Sequence, residues 1–194
     1  MWPRQSTIIA LAAAAALACT AHTAVARVDV TVEFDKSFDF KSVRTWGWDA
    51  TGPGDVKMAR TKYDNPESMK ARAEPPILEE VATVMPKSGL QRSDTAPDLT
   101  LKYYLLLTTN MTAQTVGQFL PATTGWGLPP FAQATQSLKI MNQGSLVLDL
   151  SAKDTVVWRG LAQAKLQVDA EDKKREAVLR EAVRDLLRRY PPKP

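Results

Sequence analysis

Residues 143–166 alternate between apolar and polar side chains on both sides of a short polar stretch, which predicts a β-hairpin. Successive side chains of a strand point to opposite faces, so this pattern fixes which residues reach a core. The apolar face holds Leu146, Leu148, Leu150, Val156, Trp158, Gly160, Ala162, Ala164 and Leu166. The hairpin is therefore the structural centre around which we place the rest of the chain.

A three-residue turn at 152–154 keeps the apolar residues of the hairpin on one face. The expected pairs are Leu150 with Val156, Leu148 with Trp158, and Leu146 with Gly160. A two-residue turn would place Leu148 beside Arg159, because a slip of one residue moves every side chain to the other face. In the three-residue register, Asp149 is a diagonal neighbour of Arg159 on the polar face. We interpret Asp149, Trp158 and Arg159 as architectural; the alternative is a small polar site beside a tryptophan.

Residues 1–26 have the features of a secretory signal peptide. An uncharged, Ala-rich core at 7–18 is too short to span a bilayer, and residues 24–26 form a small-x-small cleavage site. Cleavage there predicts a periplasmic or otherwise exported protein with a single domain, residues 27–194. The alternative is an outer-membrane lipoprotein anchored at Cys19, because the residues before this cysteine resemble a lipoprotein cleavage site.

The residue types in the chain exclude several chemistries. Cys19 is the one cysteine and His22 the one histidine, and cleavage after Ala26 removes both. The mature chain would then lack the thiol and imidazole that Ser-His-Asp or Cys-His catalysis, zinc binding and haem ligation need. We therefore predict no catalytic residues, no metal site and no cofactor. The remaining enzymatic alternative is a hydrolase that uses carboxylates such as Asp98 and Asp149.

Further regular structure follows from hydropathy periodicity. Strands are predicted at residues 27–34, 43–48 and 98–108, and amphipathic helices at 77–85 and 169–190. This order predicts an α+β fold in which an antiparallel or mixed sheet of about five strands carries two helices packed on one face. The predicted core contains Val30, Leu101, Leu148, Trp158, Leu179, Val183 and Leu186.

Two segments without periodicity, residues 49–76 and 109–142, are predicted to be long loops. The second contains Trp126 and Phe131 among glycines and prolines, so these rings are candidates for a binding surface. Trp46 is a third candidate, because it shares its strand face with the next tryptophan. The two rings are either core residues or an exposed stacking platform for a flat ligand.

The order of these features resembles the DUF4136 family of bacterial envelope proteins, many of which are lipoproteins. The matching pieces are VDVTVEFD with FDFKSVRTWGW, PDLTLKYYL, QGSLVLDL with VVWRG, and the ending RRYPP. The most specific part is Gly144 and Asp149 together with Trp158, Arg159 and Gly160. The resemblance implies an α+β fold and a location in the cell envelope. It implies no substrate and no catalytic residues, since the family has no established activity.

We predict a non-enzymatic binding or structural module of the periplasm or outer membrane. Its partner would be an unidentified envelope component or an apolar small ligand. The alternative is a small-ligand or lipid-binding protein that uses the segment containing Trp126 and Phe131. Export argues against a nucleic-acid partner. Contact with a membrane is predicted only if Cys19 is lipidated.

Overall fold

The computed structural model of the protein describes residues 28–59, 65–108, 144–164 and 171–193. The elements in these ranges are strands β1 (Asp29–Phe34), β2 (Thr45–Trp48) and β3 (Gly54–Ala59), helix α1 (Pro66–Val84), a 3-10 helix (Met85–Ser88), strands β4 (Gln91–Arg92), β5 (Leu99–Thr108), β6 (Gly144–Ala152) and β7 (Thr155–Ala164), and helix α2 (Asp172–Leu187). The α+β prediction is confirmed. Strands β3 and β4 add to the five that the sequence predicts.

The strands form one mixed sheet in the order β1-β7-β6-β5-β2-β4, with β3 also paired to β5. Strands β1, β7, β6 and β5 form an antiparallel series in this order, whereas β2 and β3 run parallel to β5. Strand β2 pairs with the first residues of β5 and β3 with the later ones, so the two short strands follow one another along one side of β5. Hydrogen bonding on both sides makes β5 a central strand, as its nearly continuous apolar sequence predicts.

Helices α1 and α2 contribute to the same apolar cluster as one face of the sheet, which we call the helix face. Its buried residues include Leu101, Leu148 and Trp158 from the strands, Ile77 and Val81 from α1, and Val183 and Leu186 from α2. Val30 and Leu179 are partly buried against this cluster. Every residue predicted for the core therefore lies in it or packs against it.

Gly160 makes room for the indole of Trp158 on the helix face. A Cβ atom at Gly160 would lie 2.6 Å from Cη2 of Trp158 and 2.7 Å from Cδ2 of Leu186. Both distances are shorter than van der Waals contact. The glycine that follows Trp158 and Arg159 in the sequence thus allows a large ring and helix α2 to approach the same strand.

The register of the hairpin differs from the prediction. The turn contains two residues, because Ala152 pairs with Thr155, and Lys153 adopts a left-handed φ of 55°. A bulge between Leu150 and Ser151 then shifts the register, so that Leu150 pairs with Trp158. The pairs that follow on this face are Leu148 with Gly160, Leu146 with Ala162 and Gly144 with Ala164. A bulge admits one extra residue on one strand, which is how a two-residue turn keeps Trp158 beside the leucines.

The predicted loop at 49–76 is wrong over much of its length. Strand β3 lies inside it, and α1 begins at Pro66 instead of residue 77. The Asn65 side chain caps this helix by accepting hydrogen bonds from two backbone N–H groups of its first turn. The helix continues through Pro75 and Pro76, although proline inside a helix removes a hydrogen bond. Burial of Pro76 and its neighbours against the sheet offsets that loss.

The last helix is close to its prediction. The segment predicted to be helical is 169–190, and α2 occupies Asp172–Leu187. Arg180 of α2 forms ion pairs with Glu79 at 2.6 Å and with Glu80 at 3.8 Å, which join the two helices. The second predicted loop, 109–142, lies outside the described residues.

Candidate functional site

Charged side chains of alternating sign cross the sheet on the face opposite the helices, which we call the second face. Glu33 of β1 pairs with Arg159 of β7, Arg159 with Asp149 of β6, and Asp149 with Lys102 of β5. Lys102 Nζ then lies 3.5 Å from Oδ1 of Asp49, which follows β2. Opposite charges on directly paired strand residues attract each other. We call these five residues the charge ladder.

The centre of the charge ladder is a buried bidentate ion pair. Arg159 Nε and Nη2 donate hydrogen bonds of 2.6 Å to Oδ1 and Oδ2 of Asp149, respectively. Both side chains are 1% exposed. The bulge in the hairpin brings the two residues directly opposite one another, instead of the diagonal position that the sequence predicts. Paired hydrogen bonds between a guanidinium and a carboxylate are strong and fix the orientation of both groups.

Burial and pairing act against each other on the protonation of this centre. Burial raises the pKa of the Asp149 carboxyl, and the hydrogen bonds and charge of Arg159 oppose that rise. For Arg159, burial lowers the pKa, but the hydrogen bonds and charge of Asp149 outweigh it, so the guanidinium stays protonated. We treat the pair as ionised, because both carboxylate oxygens accept hydrogen bonds from a permanent cation. Asp149 is therefore poorly suited to accept a proton from a substrate.

The charge ladder becomes more exposed towards the β2 side of the sheet. The Lys102 side chain is 21% exposed and that of Asp49 is 32% exposed. Lys102 Nζ also donates a hydrogen bond of 2.6 Å to Oγ1 of Thr51. At the other end, burial raises the pKa of Glu33, and the nearby charge of Arg159 partly offsets the rise. The ladder thus runs from a water-excluded centre to ends that water reaches.

Apolar side chains flank the charge ladder on the second face. Tyr104, Leu106, Val147 and Leu161 form a separate buried cluster there. Burial and the neighbouring carboxylates, first among them Asp149, raise the pKa of Tyr104 well above its ordinary value. The sequence prediction included Asp149 and Arg159 but missed Glu33, Lys102 and Asp49. Strand parity alone would have placed Glu33 and Lys102 on the polar face, but only the register shows that they are adjacent.

Asp98 has a different structural role, at the junction of β2 and β5. Its Oδ2 accepts hydrogen bonds of 2.9 Å from the backbone N–H groups of Arg44 and Thr45 and from Oγ1 of Thr45. The Thr45 hydroxyl oxygen in turn accepts a bond from the Asp98 backbone N–H. These hydrogen bonds, first that from Arg44, lower the pKa of Asp98. Asp98 thereby aligns β2 with the start of β5.

The hypothetical acid–base pair of Asp98 and Asp149 is not assembled. Asp149 pairs with Lys102, four residues further along β5 than Asp98, which corresponds to about 13 Å of strand. One carboxylate is bound to Arg159 and the other to the backbone of β2. Neither faces the other across a cleft.

Of the predicted binding residues, Trp46 lies in the core. Its side chain is 1% exposed and contacts Trp48 edge to face, with 5.5 Å between the ring centroids. Trp46 is therefore not an exposed stacking platform, and its burial agrees with the interpretation of this residue as a core aromatic. The Trp46 ring is buried because β2 lies inside the sheet between β4 and β5. Trp126, Phe131 and Cys19 lie outside the described residues.

Within the described ranges, no group of three or more His, Cys, Asp or Glu residues is arranged to hold a metal ion. In the same ranges, no helix combines the length and the apolar composition that a membrane crossing requires.

Comparison with known proteins identifies the family. The family model of DUF4136, a domain of unknown function, matches residues 30–192. A solved DUF4136 family protein from Bacteroides thetaiotaomicron shares 15% identity with a TM-score of 0.51, over 84% of this chain and 96% of that one. No match is found among curated proteins.

Two further solved structures are more distant. A PDZ domain protein from Parabacteroides distasonis gives a TM-score of 0.49 at 13% identity, over 88% of this chain and 38% of its own. The PelC dodecamer from Paraburkholderia phytofirmans gives 0.35 at 7% identity, over 82% of this chain and 96% of its own. The family match covers nearly the whole described domain, and the chain belongs to the DUF4136 family.

Proposed function

We propose that this protein is exported to the cell envelope and acts there as a non-enzymatic binding or structural module. The absence of enzymatic activity is proposed because the candidate catalytic carboxylates are already bound to other groups of the protein. Asp149 places both oxygens on Arg159, and Asp98 binds the backbone of β2. The side chains that the sequence offers for hydrolysis are thus used to hold strands together.

Export is proposed from the first 26 residues. They combine a positive charge near the start, an uncharged apolar core and a small-x-small cleavage site. Cleavage after Ala26 leaves a chain without cysteine or histidine, which agrees with a domain that performs no thiol or imidazole chemistry. Anchoring at Cys19 is the alternative mode of attachment.

The intact mass of the protein recovered from an envelope fraction tests this proposal. A mass that corresponds to a start at Arg27 is the expected result. A mass that corresponds to a diacylated or triacylated Cys19 would show that the exported protein is anchored by lipid. A full-length chain that stays in the cytoplasm would contradict export altogether.

Capture of partners from an envelope extract tests the binding role. The bait is the processed protein, compared with a variant that carries Trp126→Ala and Phe131→Ala. The same segment offers a matched control in Gln133→Ala and Gln136→Ala, which removes no aromatic ring. Loss of a partner only in the aromatic variant would assign binding to this segment, whereas unchanged partners would exclude it.

The non-enzymatic part is tested by screening ester, amide and glycoside substrates. We expect no turnover. Hydrolysis that disappears in Asp98→Asn, while the variant retains its circular dichroism spectrum, would contradict the proposal.

A further inference from the structure

An open cleft of about 270 Å³ lies at one end of the domain. It forms where the connection between β1 and β2 meets the 3-10 helix and the residues that follow α2. Its apolar lining consists of Phe40, Val43, Leu90, Tyr190 and Pro191. The cleft is remote from the charge ladder, which lies in the middle of the second face.

The charged residues that line the cleft, Lys41 and Arg44, are both cations. Arg44 Nη1 donates hydrogen bonds to the carbonyl oxygens of Lys41, at 2.7 Å, and Val43, at 3.1 Å. These bonds hold the guanidinium at the rim and leave Nε and Nη2 as donors. An arginine fixed in this way is preorganised to bind an oxyanion.

Among the residues that the structure describes, no carboxylate lines the cleft. The carboxylates nearest in the hydrogen-bond network are those of Asp39 and Asp98. They accept bonds from the backbone N–H groups of Lys41 and Arg44, respectively. In the described part of the chain, no carboxylate lies within 4.0 Å of the side-chain nitrogens of Lys41 or Arg44. The charge of Arg44 acts on Asp98 without a direct ion pair, so neither cation is held by a carboxylate and both can contact a ligand.

The apolar wall of the cleft is fixed by aromatic packing. The ring of Tyr190 contacts Phe40 on one side and Trp158 on the other, both edge to face, at centroid distances of 5.9 and 6.0 Å. Burial raises the pKa of Tyr190 to about 12, so its phenol is neutral and does not repel an anion. This wall connects the cleft to the core beneath α2.

Further cations are close in sequence to the residues that line the cleft. Lys87, Arg189 and Lys193 are each next to, or two residues from, a lining residue, and all three are exposed. Basic residues grouped on one surface attract the anionic lipids of a membrane, at a gain in affinity for each Lys or Arg. The cleft thus lies among basic residues.

We propose that this end of the domain docks on a membrane and that the cleft binds the headgroup of an anionic phospholipid. The phosphate lies between Lys41 and Arg44, and the glycerol and first acyl carbons contact the wall of Phe40 and Tyr190. The volume favours a headgroup over a whole lipid, since sites that enclose drug-sized ligands are usually larger. This inference rests on the proposed envelope function and names the partner.

Binding to vesicles tests the inference. The probe is phosphatidylcholine vesicles with or without phosphatidylglycerol. The protein is the chain that starts at Arg27, which lacks Cys19, so that no lipid anchor contributes. We expect binding only when phosphatidylglycerol is present. The double variant Lys41→Gln/Arg44→Gln should bind at least about tenfold more weakly.

Two further variants separate the cleft from general charge attraction. Lys173→Gln/Lys174→Gln removes the same charge from the far end of α2, roughly 24 Å away along this helix. It should retain wild-type binding to within about threefold, given the short range of charge attraction in salt. Ser88→Phe narrows the cleft without changing charge and should weaken binding.

Several outcomes would overturn the inference. Equal losses in the two double variants would mean that attraction by net charge alone explains binding. Unchanged binding by Ser88→Phe would exclude the cleft. Binding of soluble short-chain phosphatidylglycerol without binding of vesicles would exclude a membrane surface as the source of the headgroup. None of these results would change the processed mass, so export would remain independently testable.

Discussion

The two faces of the central sheet are both buried along β5, β6 and β7, but they differ in the kind of side chain that each one buries. The helix face packs Leu101, Leu148 and Trp158 against two helices in one apolar cluster. The second face places an ion pair at its centre, with a small apolar cluster beside it. Apolar burial on the helix face stabilises the fold and excludes a slip of one residue, which would turn the leucines to the other face. It discriminates less against a slip of two residues, because leucines on neighbouring strands pack in more than one arrangement.

The second face specifies the register. Asp149 and Arg159 satisfy each other only when they lie directly opposite, and any slip of the hairpin would leave a buried charge without its partner. The cost of desolvating two charges means that such a pair contributes little net stability against an apolar alternative. We infer that the charge ladder selects one alignment of four strands, while the helix face supplies most of the free energy of folding.

The largest effect is expected from removing one charge at the centre of the ladder. Arg159→Met leaves the Asp149 carboxylate buried without a partner and should lower the free energy of unfolding by about 3–5 kcal/mol. Urea denaturation measures this difference. The double variant Asp149→Leu/Arg159→Met should recover most of the loss, since it leaves no buried charge. A double variant as unstable as the single one would show that the pair stabilises the fold directly.

A smaller effect is expected on the helix face at Gly160. Gly160→Ala adds a Cβ that collides with the Trp158 ring and Leu186, and overpacking of this kind should cost about 1–3 kcal/mol. Thermal unfolding measures the loss. The control is Thr155→Ala, which changes an exposed residue at the start of the same strand and causes no collision. A Gly160→Ala protein with wild-type stability would mean that the indole does not occupy this position.

Asp98 should make the stability of the folded protein depend on pH. Its folded-state pKa is lowered, so its contribution is present above the pKa of the unfolded chain and is lost as the pH falls through the folded value. Asp98→Asn should therefore unfold at a lower temperature than wild type at neutral pH, and the two should converge as the solution becomes acidic. Asp154→Asn in the hairpin turn is the control. A difference in unfolding temperature between Asp98→Asn and wild type that persists at low pH would show that the ionised Asp98 carboxylate is not its cause.

The smallest effect is expected at the exposed end of the charge ladder. Lys102→Met removes an ion pair with Asp49 that water partly screens, and it should change the free energy of unfolding by about 1 kcal/mol or less. Urea denaturation of this variant and of Arg159→Met compares the free energy of unfolding lost at an exposed and at a buried ion pair. Equal costs at both positions would contradict the distinction between the centre and the end.

The sequence predicts the parts of the fold that repeat a local pattern. Apolar residues at every second position identify β1, β5, β6 and β7, because each of these strands has one face against the helices. The helical stripe of α2 is equally clear, since Ala182, Val183, Leu186 and Leu187 recur at helical spacing and are all buried. The family follows from the same stretches.

The prediction fails where tertiary contacts outweigh local preference. Pro75 and Pro76 end a helix in most sequences, yet α1 continues through them because Pro76 and Ile77 are buried against the sheet. Strand β3 was missed because it pairs in parallel with β5, a partner more than forty residues away in sequence. Parallel pairing leaves no turn signal between the two strands.

For the candidate site, the sequence determined which residues face away from the helices, because strand parity is a local property. It placed Asp149 and Arg159 on one face and Trp158 on the other. Only the tertiary structure decided their distance. A bulge of one residue turned a diagonal pair into a bidentate one, and the pairing of β1 and β5 added Glu33 and Lys102 to the row. Register depends on contacts along the whole strand, so no short stretch of sequence contains it.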